Sequence, residues 1–336
     1  MKLSVLDQSV AVSGRGEDAA LRNTLELAKY CEALGYHRFW VSEHHSHPTI
    51  VGSAPEVLMG AIAASTRRIR IGSAGVMLPH YSAYKVAEQF RVLDALAPGR
   101  IDLGVGRAPG SDFRTAQILN PNARSASDFF PEQVADLRSW IHGEDLPAAH
   151  PGRGVFARPL AATAPELWML GSSDYGAQLA AHYGLPYAFA WFITDGQGAD
   201  GALELYRARY TPSAAWPKPY SAVCVWALAA ETSEEAWRLF SSRERWRVER
   251  NRGLLGPLRP PEELAGQAYA PQDELQAEQI RKRAFVGSAG EVALRLRALQ
   301  ADLQADELVI ITWTHDEVAR RRSYALLAEE FQLGEE

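Results

Sequence analysis

The segment Trp40-Val41-Ser42-Glu43-His44-His45-Ser46-His47 places one carboxylate and three imidazoles directly after an apolar run. An imidazole titrates near neutrality when unperturbed, so His44 reads as a general acid-base group with a pKa expected near working pH. Glu43 beside it can orient a ring nitrogen or accept a hydrogen bond from a heterocyclic N–H. A metal is the rival chemistry. His45-x-His47 on a strand end would put two ligands on one side. A metal-dependent hydrolase needs further His and Asp ligands from later strand ends, and only His315-Asp316 offers them. A backbone-bonded structural role is expected for one of the three histidines.

The second constellation is Gly171-Ser172-Ser173-Asp174-Tyr175-Gly176. Its small residues let the backbone turn tightly into a helix, whose unpaired N–H groups and positive end attract a phosphate. The same residues also make a good turn and N-cap. Arg107 ends the apolar run Ile101–Val105, flanked by Gly106 and Pro109. One arginine converging with one helix N-terminus suits a phosphomonoester. The bland alternative is a salt bridge from Arg107 to Asp112. Trp191 and Trp313 follow apolar runs and are candidate aromatic walls for a flat ligand, or packing residues.

The elements that must hold these residues alternate. Apolar strands are predicted at Leu3–Leu6, Phe39–Val41, Ile69 to Val76, Ile101–Val105, Leu167–Leu170, Tyr187–Phe192, Ser221–Ala229 and Leu308–Ile311, with helical patterns between them. Eight strands and crossover helices predict parallel pairing and a single-domain (β/α)₈ TIM barrel spanning residues 1–336, with an open doubly wound sheet as the alternative. Such barrels take about 250 residues, so roughly 80 fall in insertions on the C-terminal face of the strands. The Pro-, Gly- and polar-rich stretches near 108–127, 143–164 and 251–284 are the candidates, the last also as a lid or a static packed insertion. In this fold, strand C-terminal ends build the site. Both constellations lie there.

Composition excludes other classes. The 35 basic and 41 acidic residues give a formal charge of −6. No clustered basic face points to nucleic acid; Arg67-Arg68-Ile69-Arg70 and Arg320-Arg321-Arg322 read as solvated helix faces. No apolar run is long enough to span a bilayer. Met1-Lys2-Leu3 leads into a strand without a signal-peptide pattern, and Cys31 and Cys224 read as buried free thiols, so the expected location is the cytoplasm.

Four strand-end motifs in order carry a resemblance: Glu43-His44-His45, Ser73-Ala74-Gly75-Val76-Met77-Leu78-Pro79, Gly104-Val105-Gly106-Arg107 and Leu170-Gly171-Ser172-Ser173. With Leu3–Asp7 and Phe285-Val286-Gly287-Ser288, they resemble the bacterial luciferase-like flavin-dependent monooxygenase family across nearly the whole chain. The resemblance implies a barrel that binds reduced FMN, which meets O₂ through a flavin C4a-peroxide and oxygenates a small organic substrate. It implies Arg107 and the backbone of Ser172, Ser173 and Gly176 at the phosphate. It implies a cis peptide at Ala74-Gly75 beneath the ring, Glu43 against the flavin, and His44 as the base; Trp191, the candidate wall for a flat ligand, is expected to bind that cofactor. The chain departs from luciferase's catalytic subunit by carrying Gly106 where that subunit has a cysteine. F420-dependent oxidoreductases and non-catalytic flavin-binding proteins share the resemblance. Partners implied are the organic substrate, O₂, and a separate flavin reductase, since no Gly-x-Gly-x-x-Gly follows a strand. A homodimer through the helix from Pro55 is also expected, because Gly60, Ala61, Ala63 and Ala64 permit close contact.

Overall fold

Runs such as Leu3–Leu6 and Ser221–Ala230 alternate two sets of apolar side chains, because successive residues of a strand face opposite sides. One set points outward. Leu3, Val5, Phe39, Val41, Ile71, Val223, Val225, Leu308 and Ile310 pack beneath the surrounding helices. The other set points inward, where Leu6, Trp40, Trp168, Ala188, Cys224, Trp226, Val309 and Trp313 form a separate core. A sheet with apolar side chains on both faces must be covered on both. The computed structural model, which describes residues 1–108 and 110–334, meets this as a closed barrel with helices around it.

Its strands are β1 (Lys2–Asp7), β2 (Arg38–Val41), β3 (Arg70–Ser73), β4 (Val76–Met77), β5 (Ile101–Gly106), β6 (Glu166–Gly171), β7 (Tyr187–Phe189), β8 (Ser221–Ala230), β9 (Phe285–Ser288) and β10 (Glu307–Ile311). All ladders are parallel. The ring runs β1-β2-β3-β5-β6-β7-β8-β10 and closes where β10 meets both β8 and β1. Closure sets aside the open doubly wound alternative. β4 continues alongside β5, and β9 pairs with the far end of β8, Ala227–Ala230.

Two expected strands differ. Ile69 to Val76 is broken into β3 and β4 by the Ala74–Gly75 peptide, which is cis as the resemblance implies. β7 stops at Phe189, since its last ladder partner is Gly171, and the chain then enters a helical turn over Trp191–Thr194.

At the N-terminal end of the barrel a buried charge network ties five strands. Arg38 reaches Asp102 at 2.8 Å, Glu166 at 3.2 Å and Glu307 at 3.1 Å. Arg70 pairs with Asp102 at 2.6 Å. Buried guanidinium and carboxylate groups satisfy one another here, as buried charges must. Arg320, expected on a solvated face, is instead buried and paired with Asp7 at 2.9 Å. Its helix, Glu317–Glu330, turns that residue toward the end of β1.

The insertions are ordered structure. The first contains the helices Phe113–Leu119 and Ala123–Ala126. The third contains the helices Pro261–Leu264 and Pro271–Arg283. Between the helix Ser233–Asn251 and Pro261, Leu258 is fully buried and exchanges backbone hydrogen bonds with Ala11 and Ser13. Arg281 pairs with Glu244 at 2.7 Å. The segment 251–284, expected as a lid or a static packed insertion, is thus anchored at Leu258 to the loop after β1 and at Arg281 to the helix Ser233–Asn251. No described helix is long and apolar enough to cross a membrane.

Candidate active site

A cavity of about 470 Å³ opens at the C-terminal ends of the strands. Glu43, His44, Ala74, Gly75, Arg107, Ser172, Ser173 and Gly176 all line it. Sequence reasoning therefore gathers eight of its nine site residues in one place. The ninth, Trp191, is displaced. Because β7 ends early and the chain turns, Trp191 packs near Phe285, with ring centroids 6.5 Å apart, beside a small neighbouring recess. Phe192 and Ile193 line the main cavity instead.

The phosphate-sized end is built from β5, β6 and the helix Asp174–Tyr183. Ser173 is the N-cap by position, yet its hydroxyl makes no capping bond. The turn-and-cap reading of this serine thus leaves its oxygen unused. The first N–H groups of the helix have no intrahelical partner. The cradle is closely packed: a Cβ on Gly176 would lie 3.4 Å from the Tyr187 ring and one on Gly171 would lie 3.6 Å from Gly176 Cα, both ordinary contact distances. Arg107 is exposed, and its guanidinium stacks 4.0 Å from the Tyr175 ring centroid. Among the described residues it forms no ion pair. Asp112, the expected rival partner, instead caps its own helix through the Thr115 N–H at 3.0 Å. Pro109, which flanks Arg107 in the sequence, lies outside the described residues.

The floor is the β3–β4 break. A Cβ on Gly75 would come 2.9 Å from the Gly104 carbonyl oxygen, so glycine is required where this backbone crosses β5. Buried Glu43 is held from three sides. The Tyr81 hydroxyl donates to it at 2.6 Å, the Met77 N–H donates at 3.0 Å, and His45 Nε2 lies 2.6 Å away. Burial and this carboxylate hold the Tyr81 phenol in its protonated form. Glu43 thus orients a histidine ring as expected, but that ring is His45.

The histidines divide their roles. His47 Nδ1 accepts from the backbone N–H groups of Thr49 at 3.1 Å and Ile50 at 3.0 Å, the structural role expected of one of them. His315 Nε2 faces the Ser13 carbonyl at 3.1 Å. Among the described residues, no three His, Cys, Asp or Glu side chains converge as a metal site. His44 Nδ1 lies 3.3 Å from Ser42 Oγ, and its Nε2 has no partner among the described residues. Burial, then His47 and His45, push the His44 pKa down to about 4. This corrects the expectation of a value near neutrality: partial burial and two neighbouring imidazoles disfavour the ring's cation.

Several wall residues escaped sequence reasoning. Arg243, Arg247 and Arg250 line the cavity from the helix Ser233–Asn251. Their spacing of four and three residues puts them on one helical face, a signal present in the sequence. Trp313 does line the cavity, 4.7 Å from Trp246 between ring centroids, with Trp226 nearby.

The sequence profile described as luciferase-like monooxygenase matches residues 1–306. The chain belongs to the luciferase-like monooxygenase family. Curated relatives agree over nearly full length. The uncharacterised protein YwcH of Bacillus subtilis (strain 168) is 43% identical, covering 98% of this chain and 99% of the relative. A luciferase-like monooxygenase of Escherichia coli (strain K12) is 39% identical over 96% of this chain and 95% of its own. The N-acetyl-S-alkylcysteine monooxygenase of Bacillus subtilis (strain 168) is 38% identical over 98% of both chains. Among solved structures, apo-MsnO8 superposes with a TM-score of 0.90 at 36% identity, covering 99% of this chain and 98% of that one. The oxygenating constituent of 3,6-diketocamphane monooxygenase of Pseudomonas putida, in complex with FMN, has a TM-score of 0.74 at 19% identity, covering 98% and 97%. That likeness is one of fold. As a luciferase-like monooxygenase, the protein is an oxidoreductase, and the cavity described above is its candidate active site.

Proposed function

We propose that this luciferase-like monooxygenase binds reduced FMN in the strand-end cavity and uses it with O₂ to place one oxygen atom on a small organic substrate. The observation that carries the reading is the convergence, in one cavity, of a helix N-terminus, an unused N-cap hydroxyl, and an arginine without an acid partner. That donor set matches a dianionic phosphomonoester, the end group of FMN, better than the phosphodiester of F420.

Arg107 and the backbone of Ser172, Ser173 and Gly176 would hold the phosphate. Ala74 and Gly75 would support the ring system, and Glu43 would accept from a ring N–H. When bound, reduced FMN supplies the electrons that activate O₂. The chain's own contribution is positional and protonic. Leu6, Ile50, Phe192, Trp226 and Trp313 make the wall apolar and exclude water, which would otherwise divert reduced oxygen to hydrogen peroxide. His44 is neutral at working pH, so Nε2 can take or return a proton at the reacting centre while Ser42 steadies Nδ1. Reduced flavin would come from a separate reductase.

The test is anaerobic loading with reduced FMN or reduced F420, followed by ¹⁸O₂ and a substrate panel. Thioethers lead the panel, because one relative is named for an N-acetyl-S-alkylcysteine. One ¹⁸O atom in product with FMN supports the reading. Turnover with F420 and no oxygen incorporation contradicts it.

A further inference from the structure

From the arginine face of the helix Ser233–Asn251, we infer that the substrate is a small organic acid whose carboxylate is held by Arg243, with Arg250 at the mouth. The inference rests on the FMN reading above, which assigns the other end of the cavity to the cofactor.

Three guanidinium groups line the wall, and one acid answers them. Asp195 takes Arg247 in a two-point bridge, at 2.7 and 2.5 Å. Arg243 is only 6% exposed and makes no ion pair or hydrogen bond among the described residues. Its planar group lies 3.9 Å from the Trp226 ring centroid, a stacked position that leaves its edge donors free. Arg250, exposed at the cavity's edge, has a single hydrogen-bond partner among the described residues, Asn251 at 3.4 Å, and lies over Trp246 at 5.7 Å. The indole N–H groups of Trp226 and Trp313 are buried in the same wall with no acceptor among the described residues.

A buried cation without a counter-ion is costly, and proteins resolve the cost by pairing. Burial, Arg247 and Arg250 disfavour the Arg243 cation, and Asp195, already bridged to Arg247, does not offset them. Of the other buried arginines, Arg38, Arg247 and Arg320 have carboxylates within 3.1 Å, and Arg91 donates to the backbone carbonyls of Pro159 and Ile141. Among the described residues Arg243 alone of these has neither a carboxylate nor a carbonyl partner, and it faces the cavity. The matching partner is a carboxylate brought by the ligand, with the aromatic faces of Trp226, Trp246 and Trp313 receiving its apolar portion. Arg107 and the helix N-terminus are built on β5 and β6, whereas Arg243 follows β8, so cofactor phosphate and substrate carboxylate have separate cradles.

The test uses full-length, FMN-loaded protein titrated calorimetrically with matched pairs: decanoate and decanamide, phenylthioacetate and phenylthioacetamide, N-acetyl-S-benzylcysteine and its amide. At least one acid should bind roughly 10-fold or more tightly than its amide, the size of one charge-assisted contact. Arg243→Gln should abolish that preference with FMN affinity unchanged, which also reports that the variant is folded. Arg243→Lys should keep part of it. Arg250→Gln should weaken it less. No acid preference in any pair, a preference that survives Arg243→Gln, or a loss of FMN affinity in its place would overturn the inference. Oxygen transfer separates the two readings. An acid that binds through Arg243 but takes no ¹⁸O supports the anion site and counts against the oxygenase. Oxygenation confined to the amides does the reverse.

Discussion

His44 shows how environment decides what a residue type can do. Its sequence neighbours offer three imidazoles of equal intrinsic character, and only packing separates them. His47 spends Nδ1 on two backbone N–H groups, His45 faces Glu43, and His44 alone keeps a ring nitrogen toward the cavity. His44→Ala should leave FMN binding nearly intact and lower oxygenation by roughly 10²–10⁴, the usual range for a lost acid-base group. Hydrogen peroxide should rise as product falls, measured by peroxide and product yields per reduced flavin. Wild-type rates with no extra peroxide would make His44 scaffolding. The lowered pKa gives a second readout. A folded value of about 4 against an unfolded value near 6.5 means that the unfolded chain binds more protons between those pH values. Stability must therefore rise with pH through that window and fall on acidification. His37 is likewise pushed down to about 4 by burial, so the two act together. His44→Gln should flatten the urea-midpoint profile between about pH 4 and 6.5, by at most ~3 kcal/mol at its acid end. An unchanged slope would show that His44 titrates normally.

Elements explain why the site was partly legible from sequence. Strand ends announce themselves as apolar runs that stop at polar residues. Glu43, Arg107 and Ser172 all follow that pattern, and parallel strands bring them to one end of the barrel. Trp191 escaped because strand length is set by ladder pairing: β7 loses its partner after Phe189, and the backbone turns before the tryptophan. The arginine face escaped for a different reason. Arg243, Arg247 and Arg250 belong to a helix after β8, and a charged helical stripe reads as solvated until tertiary packing turns it inward. The long insertion at 251–284 shows the same limit, since Pro and Gly content cannot distinguish a lid from a packed strap. Leu258 decides it. Being fully buried and bonded to Ala11 and Ser13, it should cost about 2–5 kcal/mol when changed to Ala. Chemical denaturation measures this; a loss well below 1 kcal/mol would return the segment to the status of a lid.

For the whole molecule, the outer surface carries an apolar stripe that the barrel does not use. Val57, Ala61 and Ala64 are exposed on the helix Pro55–Ser65, while Val92 and Leu96 are exposed on the adjoining helix Ala83–Leu96. Gly60 faces the other way, toward Leu93, which lets the two helices approach closely. We expect a homodimer through this face, with Val57→Glu shifting light-scattering mass toward the monomer. A wild-type monomer at micromolar concentration would contradict it. The barrel's two ends divide the labour. Arg38, Arg70, Asp102, Glu166 and Glu307 lock the N-terminal end, and the cavity occupies the other. The central claim is that this cavity holds the phosphate of FMN, and anaerobic titration of the wild type and Arg107→Ala with reduced FMN, reduced riboflavin and reduced F420 tests it most directly. Wild type should prefer FMN, and Arg107→Ala should lose roughly 10- to 150-fold in FMN affinity with little change for riboflavin, as one charge-assisted phosphate contact implies. Equal losses for FMN and riboflavin, or tighter binding of F420 by the wild type, would contradict the account.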